Sequence, residues 1–299
     1  MTPLEVTYRA FINCLNEGQW ADLGTFLHSE FSKNEHQYTP KSYAAQFQGV
    51  GSVETTVDAI MVDEEGQRMA STNLVKWKPS KDISGSDSTD KTILFVEQNL
   101  IWFTEGKLSK TITLADREGI VRQLSDPQAI DAPNLITMQT GDMVGEVSQS
   151  RGDLEQTYRG YVGCINERTM KANLHNFVHP RVIHNGKTLT LDEFRRSIEA
   201  NIMAVPDLVV AFHTVIVDEK AQRVAARLES TGTPVVALGG AEPTGNQSRF
   251  AEHVTYQFRG GKISSLWSIG DWIQGPQALP RSSTNVDVLG IGELLVPGR

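Results

Sequence analysis

YRGYVGCINERTM, residues 158–170, repeats YRAFINCLNEGQW, residues 8–20. Around this pair, Glu5 to Glu17 and Glu155 to Glu167 share Glu, Thr, Tyr, Arg, Cys, Asn and Glu in register. With one residue of slippage, LGTFLHSEFSKN (23–34) lies over LHNFVHPRVIHN (174–185), and VDEEGQR (62–68) over VDEKAQR (217–223). EGKLSKTITLADR (105–117) lies over GGKISSLWSIGDW (260–272), and Asp-Pro-Gln-Ala at 126–129 over Gly-Pro-Gln-Ala at 275–278. A period of about 150 residues is too long for a solenoid and suits a duplicated domain. The expected boundaries are a first domain at 1–130, a linker at 131–150, a second domain at 151–280 and a tail at 281–299.

Both copies read in the same order. Thr2-Pro3-Leu4-Glu5 is a capping-box pattern with Pro at the first helical position, and Tyr8, Phe11, Ile12 and Leu15 recur at helical spacing. In the second copy Asp153 is the expected cap, with Tyr158, Tyr161, Val162 and Ile165 on the stripe. A short second helix follows, with FLHSEF at its end, and a third starts at Thr39-Pro40 or Thr190-Leu191-Asp192-Glu193. Then come alternating runs. VDAIMVDEEGQRMASTNLVKW (57–77) and LVVAFHTVIVDEKAQRVAARLES (208–230) predict one hairpin per copy. FVEQNLIWFTEGKLSKTITLAD (95–116) and FAEHVTYQFRGGKISSLWSIGD (250–271) predict a second. Helices followed by a meander make each copy α+β, with a curved antiparallel sheet wrapped around its helices.

The 299 residues carry a formal net charge of -8 with 39% hydrophobic and 21% charged residues. That balance argues against a nucleic-acid footprint and points to small-molecule or protein partners. The opening MTPLEVTYRAF lacks a basic region before an apolar run, and no stretch approaches a membrane span, so the expectation is a cytoplasmic protein with no membrane contact. Cys14 and Cys164 are read as two core residues rather than a disulfide. His179, His184 and Asn185 lack a carboxylate at ligand spacing and read as loop and helix-end hydrogen bonding rather than metal ligands. No phosphate loop, dinucleotide fingerprint, nucleophile elbow or C-x-x-C pair occurs, so neither metal nor cofactor is expected.

With HPRVIHNGKTLTLDEFRRSI in mid-domain and EHVTYQFRGGKISSLWSIGDW at its end, each copy resembles the nuclear-transport-factor-2-like superfamily. Within it the chain is similar to the SnoaL-like polyketide cyclases and fungal isomerases. The resemblance implies two tandem conical α+β barrels, each with a pocket between helices and sheet. Because members usually pair as dimers, it also implies a covalent, intramolecular pseudo-dimer, with further association left open. It implies cofactor-free cyclisation or isomerisation of an apolar polyketide or meroterpenoid intermediate, as in secondary metabolism. The alternatives are an epoxide hydrolase or hydratase of the same fold and a non-catalytic binding or scaffold pseudo-dimer.

An Asp near the end of the last long strand serves as acid/base in those enzymes. Asp271 matches it here, and Asp116 in the first copy. Period-2 alternation puts Trp267 and Ile269 on the face of Asp271, a setting that favours a raised pKa. His253 and His213 are the candidate assistants, opposite Gln98 and Asp58 in the first copy. Tyr158, Tyr161, Tyr256, Trp267 and Ile269, with Gln98 and Asp58 of the first copy, are expected to line the substrate pocket. The second copy is thereby expected to carry the chemistry.

Overall fold

The structure is a computed structural model, and it describes residues 1–80, 91–125, 148–238 and 242–271. The described residues fall into two units, one in each half of the chain. Most of the expected linker, all of the tail and the two Pro-Gln-Ala segments lie outside them.

In the first unit α1 (Pro3–Asn16) starts where the sequence predicts, the Thr2 hydroxyl accepting from Glu5 N at 3.2 Å. Its stripe of Leu4, Tyr8, Phe11 and Ile12 is buried. A single turn, α2 (Leu23–Phe26), leads into β1 (Leu27–Lys33) and β2 (His36–Tyr38). After α3 (Pro40–Ala45), capped by Thr39, come β3 (Gly51–Asp63), β4 (Arg68–Pro79), β5 (Ile93–Thr104), β6 (Lys107–Ala115) and α4 (Arg117–Ser125). The sheet order is β2-β1-β6-β5-β4-β3.

The second unit repeats this frame. It runs α5 (Arg151–Asn166), α6 (Met170–Asn173), β7 (Val178–His184), β8 (Lys187–Thr190), α7 (Leu191–Ala204), β9 (Val209–Asp218), β10 (Arg223–Gly232), β11 (Ser248–Arg259) and β12 (Lys262–Asp271). Its sheet order is β8-β7-β12-β11-β10-β9. Helix α5 is capped by Ser150 rather than Asp153. The serine accepts from Asp153 N at 3.3 Å and donates to the Asp153 carboxylate at 2.7 Å, so Asp153 is the third residue of the first turn.

One expectation is sharpened and one corrected. In FLHSEF the short helix ends at Phe26 and strand β1 begins at once with Leu27, and HPRVIH is strand β7 rather than loop. Consequently each sheet is mixed. β1 pairs with β6 in parallel, Leu27 opposite Leu108 and Lys33 opposite Thr111, and β7 pairs with β12 in the same way. Five to seven residues were too few for the local pattern to separate a strand from a helical turn, and the decisive contact is made about 80 residues away.

One sheet face carries the helices. In the second unit Val224, Ala226 and Leu228 of β10 and Val254, Tyr256 and Phe258 of β11 form a core with Tyr158, Tyr161 and Phe194 from the helices. In the first unit Tyr8, Phe11, Phe31, Tyr43, Met69, Ile101 and Phe103 do the same. An asparagine at the end of each first helix ties it to the sheet edge. Asn16 brackets Thr55 with bonds of 2.9 and 2.8 Å, and Asn166 brackets Val210 with two of 2.9 Å. The cysteines are buried and free; Cys14 Sγ donates to Gln19 O and Cys164 Sγ to Tyr161 O. No helix among the described residues is long and apolar enough to cross a membrane.

Candidate functional site

Strand register decides which side chains meet the helices. On β11 the even positions point into the helix-packed core, and antiparallel partners share a face. Tyr256 opposes Leu266, Val254 opposes Ser268, and Glu252 opposes Gly270 on that inner face. His253 opposes Ile269, Thr255 opposes Trp267, and Ala251 opposes Asp271 on the other. Asp271, Trp267 and Ile269 therefore do share a face with one another and with His253, but it is the face turned away from the unit's helices. This corrects the expectation that they line the pocket. His253 is buried there, its Nε2 3.2 Å from Arg227 Nη1.

The other candidates are also displaced. His213 is the extra residue of a bulge in β9, exposed, with Nδ1 2.8 Å from the Thr214 hydroxyl. Asp58 sits at the matching bulge of β3. Gln98 is buried on the outer face between Thr72 and Leu114. Asp116 caps α4, its Oδ1 accepting from Gly119 N at 3.0 Å. Strand alternation was read correctly; which face the helices cover could not be read from the strand alone.

Tyr158, Tyr161 and Tyr256 do meet on the inner face. The Tyr158 ring lies 4.8 Å from that of Tyr256 and 5.5 Å from that of Phe212, and Tyr161 stacks on Phe194 at 6.5 Å. Burial pushes all three phenols well above their ordinary pKa, so they are neutral donors. The Tyr158 hydroxyl is buried with no partner of normal hydrogen-bond geometry, although the Tyr256 hydroxyl is near enough to bias its ionisation.

Facing these rings is Glu252, which the sequence reading passed over. Burial pushes its carboxyl from 4.5 up to about 7, against a smaller opposing pull from a hydrogen bond with Ser268. It also acts electrostatically on Tyr158, Tyr161 and Tyr256. Ser268 is fixed by Asn185, which accepts from Ser268 N at 2.8 Å and donates to Ser268 O at 3.2 Å. The Ser268 hydroxyl lies 3.3 Å from His184 Nε2. Burial lowers the His184 pKa, so the ring is neutral. A protonatable carboxyl and a neutral imidazole thus both meet the Ser268 hydroxyl, beside the phenols. His179 bonds Arg259 O at 2.8 Å and takes no part. Among the described residues no three His, Cys, Asp or Glu side chains gather as metal ligands.

The signal for Glu252 was present in the sequence. Phe250, Glu252, Val254, Tyr256 and Phe258 alternate, so a carboxylate stands where every neighbour of the same parity is a core residue. The first copy places Glu97 at the same point of Phe95, Glu97, Asn99, Ile101 and Phe103. There the surroundings are polar. Asn73 Nδ2 and Asn99 Nδ2 donate to Glu97 Oε1 at 2.9 and 3.2 Å, Asn73 also donates to the Tyr8 hydroxyl at 2.8 Å, and Tyr8 meets Ser71 Oγ at 2.8 Å. In the second copy Ala226, Leu228 and Val254 replace Ser71, Asn73 and Asn99.

Residues 155–278 match the family described as SnoaL-like polyketide cyclase. Among solved structures the chain is similar to a SnoaL-like polyketide cyclase from Agrobacterium tumefaciens, with 31% identity, a TM-score of 0.37 and coverage of 40% of this chain and 91% of that one. It is similar to AclR, a proposed hydroxylase from Streptomyces galilaeus, at 17% identity and TM-score 0.36, covering 50% of this chain and all 100% of that one. It is also similar to AusH from Aspergillus nidulans, at 16% identity and TM-score 0.34, covering 42% and 88%. No curated protein matches it significantly. Through its second unit, which that match spans, the chain belongs to the SnoaL-like polyketide cyclase family.

Proposed function

We propose that the chain is a cyclase or isomerase acting on an apolar polyketide or meroterpenoid intermediate by acid/base catalysis within the second unit. One observation supports this above others. Glu252 is a carboxyl with a pKa raised to about 7, set on the inner face among phenol donors. A base of that strength exists in both protonation states near neutral pH.

In this reading the Glu252 carboxylate takes a proton from the carbon next to a substrate carbonyl. The electron pair of that C–H bond forms the enolate, and its oxygen accepts a hydrogen bond from the buried Tyr158 hydroxyl, whose nearest polar neighbour is the Tyr256 hydroxyl. For a cyclisation the enolate carbon attacks a second carbonyl of the same molecule, forming the C–C bond, and the new alkoxide takes the proton back from Glu252. For an isomerisation the proton returns to a different carbon. Each route is neutral in protons and uses the chain's own groups. The aromatic wall holds the folded conformer in which the reacting atoms meet. We further propose that the duplication holds in one chain the pair of barrels that relatives assemble from two, an intramolecular pseudo-dimer.

The hydrolytic alternative requires a water oriented by several polar groups against the base. Glu252 instead has Ser268 as its hydrogen-bond partner and rings around it, which favours lone acid/base work. The test is deletion of the gene in its host, with metabolite profiling and complementation. Accumulation of an uncyclised precursor, relieved by the wild-type gene and by Asp271→Asn but not by Glu252→Gln, is the expected result. Full relief by Glu252→Gln would overturn the assignment.

A further inference from the structure

Ser268 stands between two titratable side chains on different strands. Its hydroxyl lies 3.3 Å from Nε2 of His184, at the end of β7, and is also the hydrogen-bond partner of Glu252 on β11. Asn185 clasps the Ser268 main chain from both sides, at 2.8 and 3.2 Å, so what is left to move is the rotation of the hydroxyl. A hydroxyl carries one proton and accepts on its oxygen. It therefore cannot donate to Glu252 and to His184 at once.

The charge on Glu252 decides which of the two it serves. As a carboxylate, Glu252 accepts from Ser268, and the Ser268 oxygen is left to accept from His184 Nε2–H. As an acid, Glu252 donates to Ser268, whose own proton turns to His184, now accepting at a bare Nε2. A neutral imidazole meets both needs, because its proton can sit on either ring nitrogen. Between the two states one proton leaves Nε2 and one joins Nδ1 by exchange with solvent, so the ring stays neutral and the net gain is the proton on Glu252.

The first unit has the same clasp without the same trio. Asn34 accepts from Thr113 N at 2.8 Å as Asn185 does from Ser268 N, but the Thr113 hydroxyl donates to Asn99 Oδ1 at 2.7 Å, and Lys33 stands where His184 does. With Val254 in the place of Asn99, the Ser268 hydroxyl turns to Glu252 and His184 instead. The other groups that act on or oppose Glu252 are the phenols Tyr158 and Tyr161 of α5 and Tyr256 of its own strand, with Leu228 on β10 and Gly270 on β12. His184 meets the edge of the Phe194 ring of α7 at 5.8 Å, and Lys187, its pair across the β7–β8 hairpin, is exposed.

We infer that His184 is a positioning residue for Glu252, acting through the Ser268 hydroxyl, and resting on the reading of Glu252 as the acid/base group. By changing tautomer it keeps that hydroxyl bonded whether the carboxyl is charged or neutral, so the proton comes and goes without stranding a buried polar group.

Nitrogen-15 NMR of the histidine rings in the full chain, with the Glu252 carboxyl followed by carbon-13, tests this without any substrate. As pH rises through about 7, the two His184 nitrogens are expected to shift by similar amounts in opposite directions, the mark of a tautomer change, with the midpoint of the Glu252 carboxyl. Protonation of the ring would move mainly the bare nitrogen. The exchange is expected to vanish in Ser268→Ala and in Glu252→Gln. Ser268→Ala should also raise the Glu252 midpoint, since the lost bond held it down, whereas His184→Lys, which can only donate, should lower it by roughly one pH unit. His184 nitrogens that stay fixed through the Glu252 step, an exchange that persists in Ser268→Ala, or a midpoint that does not fall in His184→Lys would each overturn the inference. Should the lysine variant not fold, the wild-type and Ser268→Ala spectra decide. A Glu252 step without a His184 response sinks the positioning role and leaves the base in place; an intact coupling with full relief by Glu252→Gln in the host sinks the function instead.

Discussion

Glu252 and Asp271 are both acidic residues on the last hairpin, yet they face opposite ways. Glu252→Gln keeps the shape and removes the proton carrier, so turnover of the substrate is expected to fall by about 10² to 10⁴, the range for a lost general base. Asp271→Asn is expected to retain at least roughly half of the activity, since its strand face points away from the phenols. Steady-state kinetics on both variants separate the assignments. If Glu252 acts as the base, kcat/KM of the wild type rises with pH through about 7 and is flat in the variant over that window.

The same shift has a consequence for stability. The folded carboxyl binds its proton more tightly than the unfolded one, so stability is unaffected below about 4.5, declines as pH rises towards 7, and is lowest above it. Glu252→Gln removes that loss. Relative to wild type it is expected to be unchanged at pH 4 and more stable at pH 8, by up to about 3 kcal/mol for a shift of this size. Denaturant titration at the two pH values checks it, and an equal difference at both would sink the assignment of a raised pKa.

At the scale of elements, helix starts and hairpins were legible because their causes are local. Thr2, Thr39 and Thr190 each accept a bond from the backbone three residues on, and the alternating runs pair as written. Strands β1 and β7 were not legible, because their partners lie on β6 and β12 and only the folded sheet supplies those bonds. The asparagine that ends each first helix is another non-local device. Asn166→Ala removes two bonds to Val210 and is expected to cost about 1–2 kcal/mol. Thermal unfolding should register a drop of roughly 2–8 °C. Asn16→Ala should match it in the first unit, through Thr55. No change in either variant would mean these brackets only decorate an edge that packing already holds.

For the whole molecule, duplication frees two originally equivalent interiors to diverge. The first has Ser71, Asn73 and Asn99 around its glutamate; the second has Ala226, Leu228 and Val254 in those places, and burial raises the pKa of its glutamate. If the chain supplies its own pseudo-dimer, sedimentation equilibrium should return the 33.0 kDa of a single chain over a wide concentration range. A concentration-dependent dimer would count against that arrangement. The expectation that the second copy is the better equipped for proton transfer rested on His253 and Trp267, which turn out to lie on the outer face.

The amino-acid sequence by itself determined the duplication, the α+β class and the alternation that sets Glu252 with Tyr256 and Asp271 with Trp267. These follow from self-similarity and from the two-residue period of a strand, which need no partner to be read. Only the tertiary structure decided which of the two faces is the inside. That depends on where α5 and α7 pack and on the parallel docking of β7 against β12, contacts made between residues far apart in the chain, and with it went the choice between the two carboxyls.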